Sequence, residues 1–394
     1  MFFKLCHMIQ ILTDLFRISF THWSDFLFIS LAGLTLIAFL IQILFYFRFY
    51  LQIHRYSAKD VKSTKDPVSV IICAKNEAEN LSKFLPLVLE QDYPQFQVVV
   101  VNDGSKDESA AILADFEKRY AHLYVTAIEH THPYPHAKKL AQTIGIKAAK
   151  YDQLLFIDAD CRPAGTNWIS AMQSHFLPRK EIILGYGAYE REKGFTNKFI
   201  RTDTVWIAQQ YLSFAIRGIP YMGVGRNLAY RRSLFFNNKG FAGQLHLQSG
   251  DDDLFVNQTA NRENTTVEFE PDSITYSEPM HSFNSWLRQK RRHLTTGFSY
   301  KTKHRFWIAL EVLSREYFFV SCIVLLALWK LPGYLILMLL FRMIMHLWIF
   351  KLTMKRFQEK GIWLFSIIYD LFMPAISGYL ILKTKLSKTK RFNW

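Results

Sequence analysis

Cysteine is scarce: four residues among 394, Cys6, Cys73, Cys161 and Cys322, with no C-x-x-C pair. That scatter indicates neither a disulfide framework nor a zinc site and fits a reducing, cytoplasmic setting. Glycine is sparse where a dinucleotide fingerprint would need it. MGVGRNLAYRRSLF offers Gly223 and Gly225, but Leu228 stands at the third glycine position and no strand and helix frame the stretch, so NAD binding is rejected. The first long apolar run lacks the short length and small-residue cleavage site of a secretory signal. No internal repeat or low-complexity stretch interrupts the middle of the chain.

What is abundant is apolar and basic. Half the residues are hydrophobic and 34 are Phe, more than a soluble domain of this size needs, so a membrane component is expected. Phe26 to Phe47 is uncharged over 22 residues, enough to cross a hydrocarbon core of about 30 Å. Residues 1–25 place Lys4, His7, Gln10, Asp14 and Arg17 at helical spacing, which reads as an interfacial helix as readily as a mobile leader. The net charge of +15, beside so many apolar segments, points to lipid and phosphate as partners and not to nucleic acid.

A basic tether, 48–66, leads to a globular region, 67–303. There VSVIICA and FQVVVVND read as strands covered on both faces, with helices alternating between them. Ser105 with Glu108 matches a capping box before one helix. The pattern predicts an α/β fold, a Rossmann-like and mostly parallel sheet whose ligands sit beyond the carboxyl ends of the strands. Beyond it come an interfacial helix at 304–316, two spanning segments within 317–350 separated by KLPG, and a run at 361–382. That run contains Asp370 and Pro374, so it spans or is re-entrant, and is expected to be broken. Arg342 and His346, four apart, read better as a polar stripe between helices than as a functional pair. Residues 383–394 form a basic tail. Arg48, Arg55, Lys59, Lys62 and Lys65 follow the first span while only Lys4 and Arg17 precede it. The globular domain is therefore expected in the cytosol, at a plasma or inner membrane, with the amino terminus outside and the tail inside.

Three predicted strand ends carry polar motifs that would converge on one crevice: KNEAEN, NDGSKD and DADC. An isolated Asp-x-Asp is an acidic turn as readily as a site. Here Asp160 suits Mg2+ or Mn2+, with Asp158 beside it on a ribose or a water, because such an ion binds one or two carboxylates plus substrate phosphates. Asp103 can accept hydrogen bonds from a base or ribose, and Lys138 can reach a diphosphate. In SGDDDLF, repulsion among Asp251, Asp252 and Asp253 raises a pKa, as a general base requires. WLRQKRRHL brings Gln289, Arg291, Arg292 and His293 into a basic stretch suited to pyrophosphate or to an anionic lipid surface.

In this order, KNE, NDGSKD, DAD, GRNLAYRR, DDD and QKRRH resemble the membrane-bound branch of the family 2 glycosyltransferases, the group of cellulose synthase, poly-N-acetylglucosamine synthase and ceramide glucosyltransferase. The resemblance implies a GT-A fold and an inverting transfer from a nucleotide sugar, UDP-linked by preference, to a lipid or lipid-linked saccharide. A processive polysaccharide synthase and a non-catalytic nucleotide-binding transport or assembly protein are the alternatives. It also implies nucleoside contacts by Glu77 and Asp103, metal at Asp160, and a base at Asp252 or Asp251, with Asp252 preferred. Gln289 and Arg292 match QxxRW, whose tryptophan is replaced by His293.

Overall fold

The computed structural model describes residues 23–57, 64–128, 137–245, 247 and 249–386. The expected interfacial helix before residue 23 and the last eight residues of the tail lie outside them. Among the described residues ten strands form two sheets. The larger joins β1 (Val68–Ala74), β2 (Phe96–Asn102), β3 (Leu123–Ala127), β4 (Gln153–Phe156), β6 (Ile182–Gly185), β8 (Leu228–Arg231) and β9 (Thr265–Glu268) in the order β3-β2-β1-β4-β8-β6-β9. The smaller runs β5 (Cys161–Pro163), β10 (Thr275–Ser277), β7 (Gly187–Tyr189).

β1 pairs in parallel with both β2 and β4, so the chain winds outward from β1 in two directions. The crevice of such a sheet opens where the winding reverses, between β1 and β4, at their carboxyl ends. The runs of Val and Ile in β1 and β2 explain the continuity of these strands: nearly every residue is buried, because helices cover both faces. Those helices are α3 (Ala78–Leu89), α4 (Ser109–Arg119) and α5 (Ala137–Ala148), followed by α6 (Trp168–Gln173), α7 (Phe195–Ile216), α8 (Arg232–Asn237), α9 (Asp253–Thr259) and α10 (Phe283–Thr296). The expected capping box does not form. α4 starts at Ser109, and Ser105 instead accepts the backbone N–H of Asn76 at 2.9 Å, tying the β2 loop to the β1 loop.

Five more helices lie among the described residues: α1 (Trp23–Phe45), which passes through a π-turn at Tyr46–Tyr50 into α2 (Leu51–Arg55), then α11 (Thr302–Ala327), α12 (Pro332–Arg356) and α13 (Phe365–Leu386). The tether therefore starts later than residue 48. Tyr46, Phe49, Tyr50, Leu51 and Ile53 are buried, and Phe49 stacks on Phe214 of α7 at 4.4 Å, so the helix enters the domain instead of ending at the basic residues. Likewise, residues 304–316 and the first segment of 317–350 are one helix, α11, since no breaker separates them and Glu311 and Arg315 pair one turn apart at 3.7 Å. α11 ends before KLPG, and Pro332 opens α12, where a missing N–H costs nothing.

Among the described residues three helices are long and apolar enough to cross a membrane: Leu27–Arg55, Pro332–Arg356 and Phe365–Thr384. Between them lies a buried polar stripe. Asp370 of α13 takes Arg342 of α12 at 2.5 Å and Arg315 of α11 at 3.4 Å, Gln42 of α1 accepts from Arg342 at 3.2 Å, and His346 meets Ser366 at 3.0 Å. The break expected at Pro374 is absent, because α13 runs through it. The loop from α12 to α13 returns to the domain: Phe357 stacks on Tyr186 at 4.2 Å and Glu359 pairs with buried Arg201. α13 then stays on the domain. Tyr369 donates to Asp203 at 2.6 Å, and four turns later Thr384 accepts from Arg291 at 3.0 Å.

Candidate active site

The motifs after β1, β2 and β4 meet at one edge. Asp103 donates its backbone N–H to Ala74 at 2.8 Å, closing the first two strand ends together, and its fully buried carboxylate takes Lys75 at 3.3 Å. Glu77 precedes α3 and accepts the Asn80 amide at 2.6 Å. Burial pushes the Glu77 carboxyl up, the Asn80 amide offsets this in part, and the charges of Asp160 and Asp158 push the same way as burial.

Lys138, at the start of α5, joins two of the motifs. Its ammonium lies 3.1 Å from Asp158 and 3.6 Å from Asp251. Burial by itself would lower its pKa, but Asp158, Asp251 and Asp252 outweigh that and hold it well above the ordinary value. Burial raises Asp158 as well, and there Lys138, then Arg226 and Arg292, reverse the shift and keep it ionised. Among the described residues Asp160 has no such cation in contact. Burial and the charge of Asp158 raise it, and the Cys161 thiol donates to its Oδ1 at 3.1 Å.

This donor set fits a hard divalent cation. Ligand atoms of Asp158, Asp160 and Cys161 lie within 4.8 Å of one another. Burial pushes the Cys161 thiol far up, so it remains a protonated hydrogen-bond donor and the oxygens are left as the metal-binding atoms. A cation there would also relieve the repulsion that raises Asp160.

In SGDDDLF the three aspartates do three different things. Asp251 is buried against Lys138. Asp253 is buried the other way, accepting from Tyr300 at 2.7 Å and from Thr296 of α10. Asp252 caps α9 and is partly accessible from the cleft. One oxygen accepts the N–H of Asp253 and the other that of Gly225, both at 2.7 Å. Enclosure and the charges of Asp251 and Asp253 push its pKa up to about 7.

The basic stretch falls on α10 and divides by face. Lys290 pairs with Asp203 at 2.6 Å and Arg291 reaches Thr384, so these two fasten the helix to α7 and α13. Arg292 is near enough for its charge to act on Asp158, His293 lies within the field of Arg226 and Lys138, and Gln289 lies one turn before Arg292 on the same side of the helix. Arg292 Nε is buried with no hydrogen-bond partner among the described residues. The His293 ring is accessible, yet the crowded cleft and the cations Arg292, Lys290, Arg226 and Lys138 push its pKa down to about 3, so it is neutral at pH 7. Arg226 and Lys75 lie in the GRNLAYRR and KNE motifs, but the sequence gives neither residue a role of its own, and the Lys75–Asp103 pairing requires adjacency of β1 and β2.

Residues 69–236 match the family model for glycosyl transferase family 2, and residues 154–374 match that for glycosyl transferase family group 2. The chain is 32% identical over 93 residues to the poly-beta-1,6-N-acetyl-D-glucosamine synthase of Staphylococcus epidermidis, covering 24% of this chain and 21% of that protein. It is 25% identical over 266 residues to a probable glycosyltransferase of Bacillus subtilis, covering 62% of this chain and 59% of that one. The matches thus span from about a fifth to about three fifths of these relatives. Among solved structures, a mannosyltransferase from Pyrobaculum calidifontis in complex with GDP-Man and Mn2+ is 16% identical, with a TM-score of 0.61 over 91% of this chain and 99% of that one. That likeness is one of fold, and it agrees with the GT-A architecture.

Proposed function

The chain belongs to the family 2 glycosyltransferases, and on that premise we propose that it transfers a sugar, with inversion, from a nucleoside-diphosphate sugar to a hydroxyl on a lipid or lipid-linked saccharide. A UDP-sugar is the first donor to test. The observation that carries the reading is the Lys138 bridge, which holds the Asp158–Asp160 pair and the DDD loop on one crevice facing Arg292.

In this reading Asp252 removes the proton from the acceptor hydroxyl. The acceptor oxygen forms its bond to the anomeric carbon as the bond from that carbon to the diphosphate oxygen breaks, and the nucleoside diphosphate departs with the electron pair. Gly225 and Asp253, donating to the two oxygens of Asp252, fix the direction in which the carboxylate points. Asp160 and Asp158 would hold Mg2+ or Mn2+, which when bound supplies positive charge to the leaving diphosphate. Arg292 adds a guanidinium on the same side. Glu77 and Asp103 are assigned to the nucleoside. Neutral His293 has no charge to offer the phosphates, so it lines the acceptor side as a hydrogen-bonding and stacking surface. A lipid-borne acceptor is favoured by α13, which brings membrane-type sequence directly against α10.

The test is a panel of nucleotide sugars with detergent-purified protein and candidate lipid acceptors. Free nucleoside diphosphate is the expected product. Release of pyrophosphate would make the chain a nucleotidyltransferase instead.

A further inference from the structure

We propose that Arg226 is a donor-binding residue, its guanidinium contacting the diphosphate of the nucleotide sugar from the side opposite the Asp158–Asp160 pair. The inference rests on the glycosyltransferase reading and adds to it a residue that the motifs left without a role.

Arg226 sits in a single 3-10 turn, Gly225–Asn227, that is fixed on every side. The fully buried Asn227 side chain donates to Tyr186 and Ser273 at 2.8 Å each and accepts from the Trp168 indole at 3.1 Å. Thr275 of β10 donates to the Arg226 carbonyl at 2.9 Å. The side chain is seated as firmly as the backbone. Its Nε donates to the Gly187 carbonyl at 3.1 Å, and the guanidinium lies over the Tyr189 ring, 4.5 Å from its centroid. Position 187 must be glycine for this to occur, since a Cβ there would come within 2.5 Å of Arg226 Nε.

What this seat points at decides its use. In the smaller sheet Tyr189 is level with Ser277, and Ser277 with Cys161, the residue next to Asp160. Tyr189 and Cys161 are therefore two strand spacings apart, about 10 Å. Asp158, Asp160 and His293 all feel the Arg226 charge, yet among the described residues no carboxylate forms an ion pair with it. Gly187 and Tyr189 hold the guanidinium in its own seat, so a fixed cation and the Asp158–Asp160 pair stand on opposite sides, about two strand spacings apart. A diphosphate suits such a pair of groups, because its oxygens take the fork of a guanidinium on one side and a divalent cation on the other.

The experiment compares the affinities of UDP and GDP with those of uridine and guanosine, with Mn2+ present, for the full-length protein, Arg226→Met and Gly187→Ala. Gly187→Ala keeps the charge but forces the guanidinium from its seat. Both variants should lose about tenfold to a hundredfold in affinity for the diphosphate that the wild type prefers, with the matching nucleoside bound as before. Unchanged diphosphate affinity, or a parallel loss for nucleoside and diphosphate as from a disturbed fold, would overturn the proposal. A wild type that binds neither diphosphate would instead tell against the UDP- or GDP-linked donor on which the proposal rests.

Discussion

Asp252 differs from its neighbours in what remains open on its carboxylate. Asp251 is committed to Lys138 and Asp253 to Tyr300, whereas Asp252 is oriented by two backbone N–H groups and still reaches the cleft. In the proposed role of base Asp252 must be ionised to work, and its pKa is pushed up to about 7, so its ionised fraction grows as pH rises through that value. Donor-saturated kcat/KM for the acceptor is accordingly expected to fall about tenfold per pH unit below about 7 and to level off above it. Asp252→Asn should abolish that profile and lower transfer roughly 100-fold or more while leaving donor affinity near normal. Asp251→Asn should cost less in rate and more in donor affinity, since it frees Lys138; the reverse order for the two variants would move the base to Asp251. The residue types of the site were legible because carboxylates after apolar strands need a reason. Their division of labour was not, because it depends on which backbone N–H each oxygen meets across the fold, as Gly225 does for Asp252.

At the level of elements, the sheet could be read from the sequence because β1, β2 and β4 are mostly apolar runs with their few polar residues at or next to the ends. β5, β7 and β10 were not, since strands of three residues carry no periodicity and are set by what they pack against. The same limit applied to α10, whose basic run looked uniform. Its Lys290 is a structural anchor: Asp203 of α7 accepts from Lys290, Tyr369 and Trp286, so one carboxylate joins α7, α10 and α13. Removing one member of such a buried pair typically costs about 3–5 kcal/mol, because the other charge is left unpaired. Asp203→Ala should therefore lower the thermal unfolding temperature and weaken transfer together, and adding Lys290→Met should restore much of the stability. If the double variant melts no higher than the single one, Asp203 does not act through Lys290.

For the whole molecule, the position of α13 bears on topology. Its contacts at Tyr369 and Thr384 are separated by about 22 Å of helix, so it runs along the domain instead of leaving it. On this ground we propose that α13 follows the interface, an arrangement that predicts the domain and residue 387 on one side of the membrane and residue 6 on the other. A membrane-impermeant maleimide applied to intact cells should label Cys6 and not Ser387→Cys; labelling at 387 would place α13 across the bilayer. The anchoring joins α7, α10 and α13 in one unit beside the acidic crevice. The most direct measurement of the crevice chemistry is nucleoside diphosphate release by the purified protein from a panel of donors, with and without Mn2+ or Mg2+, beside Asp160→Asn. Release that requires both the cation and the Asp160 carboxylate is the expected result, whereas full activity in metal-free buffer, or in the Asp160→Asn protein, would contradict it.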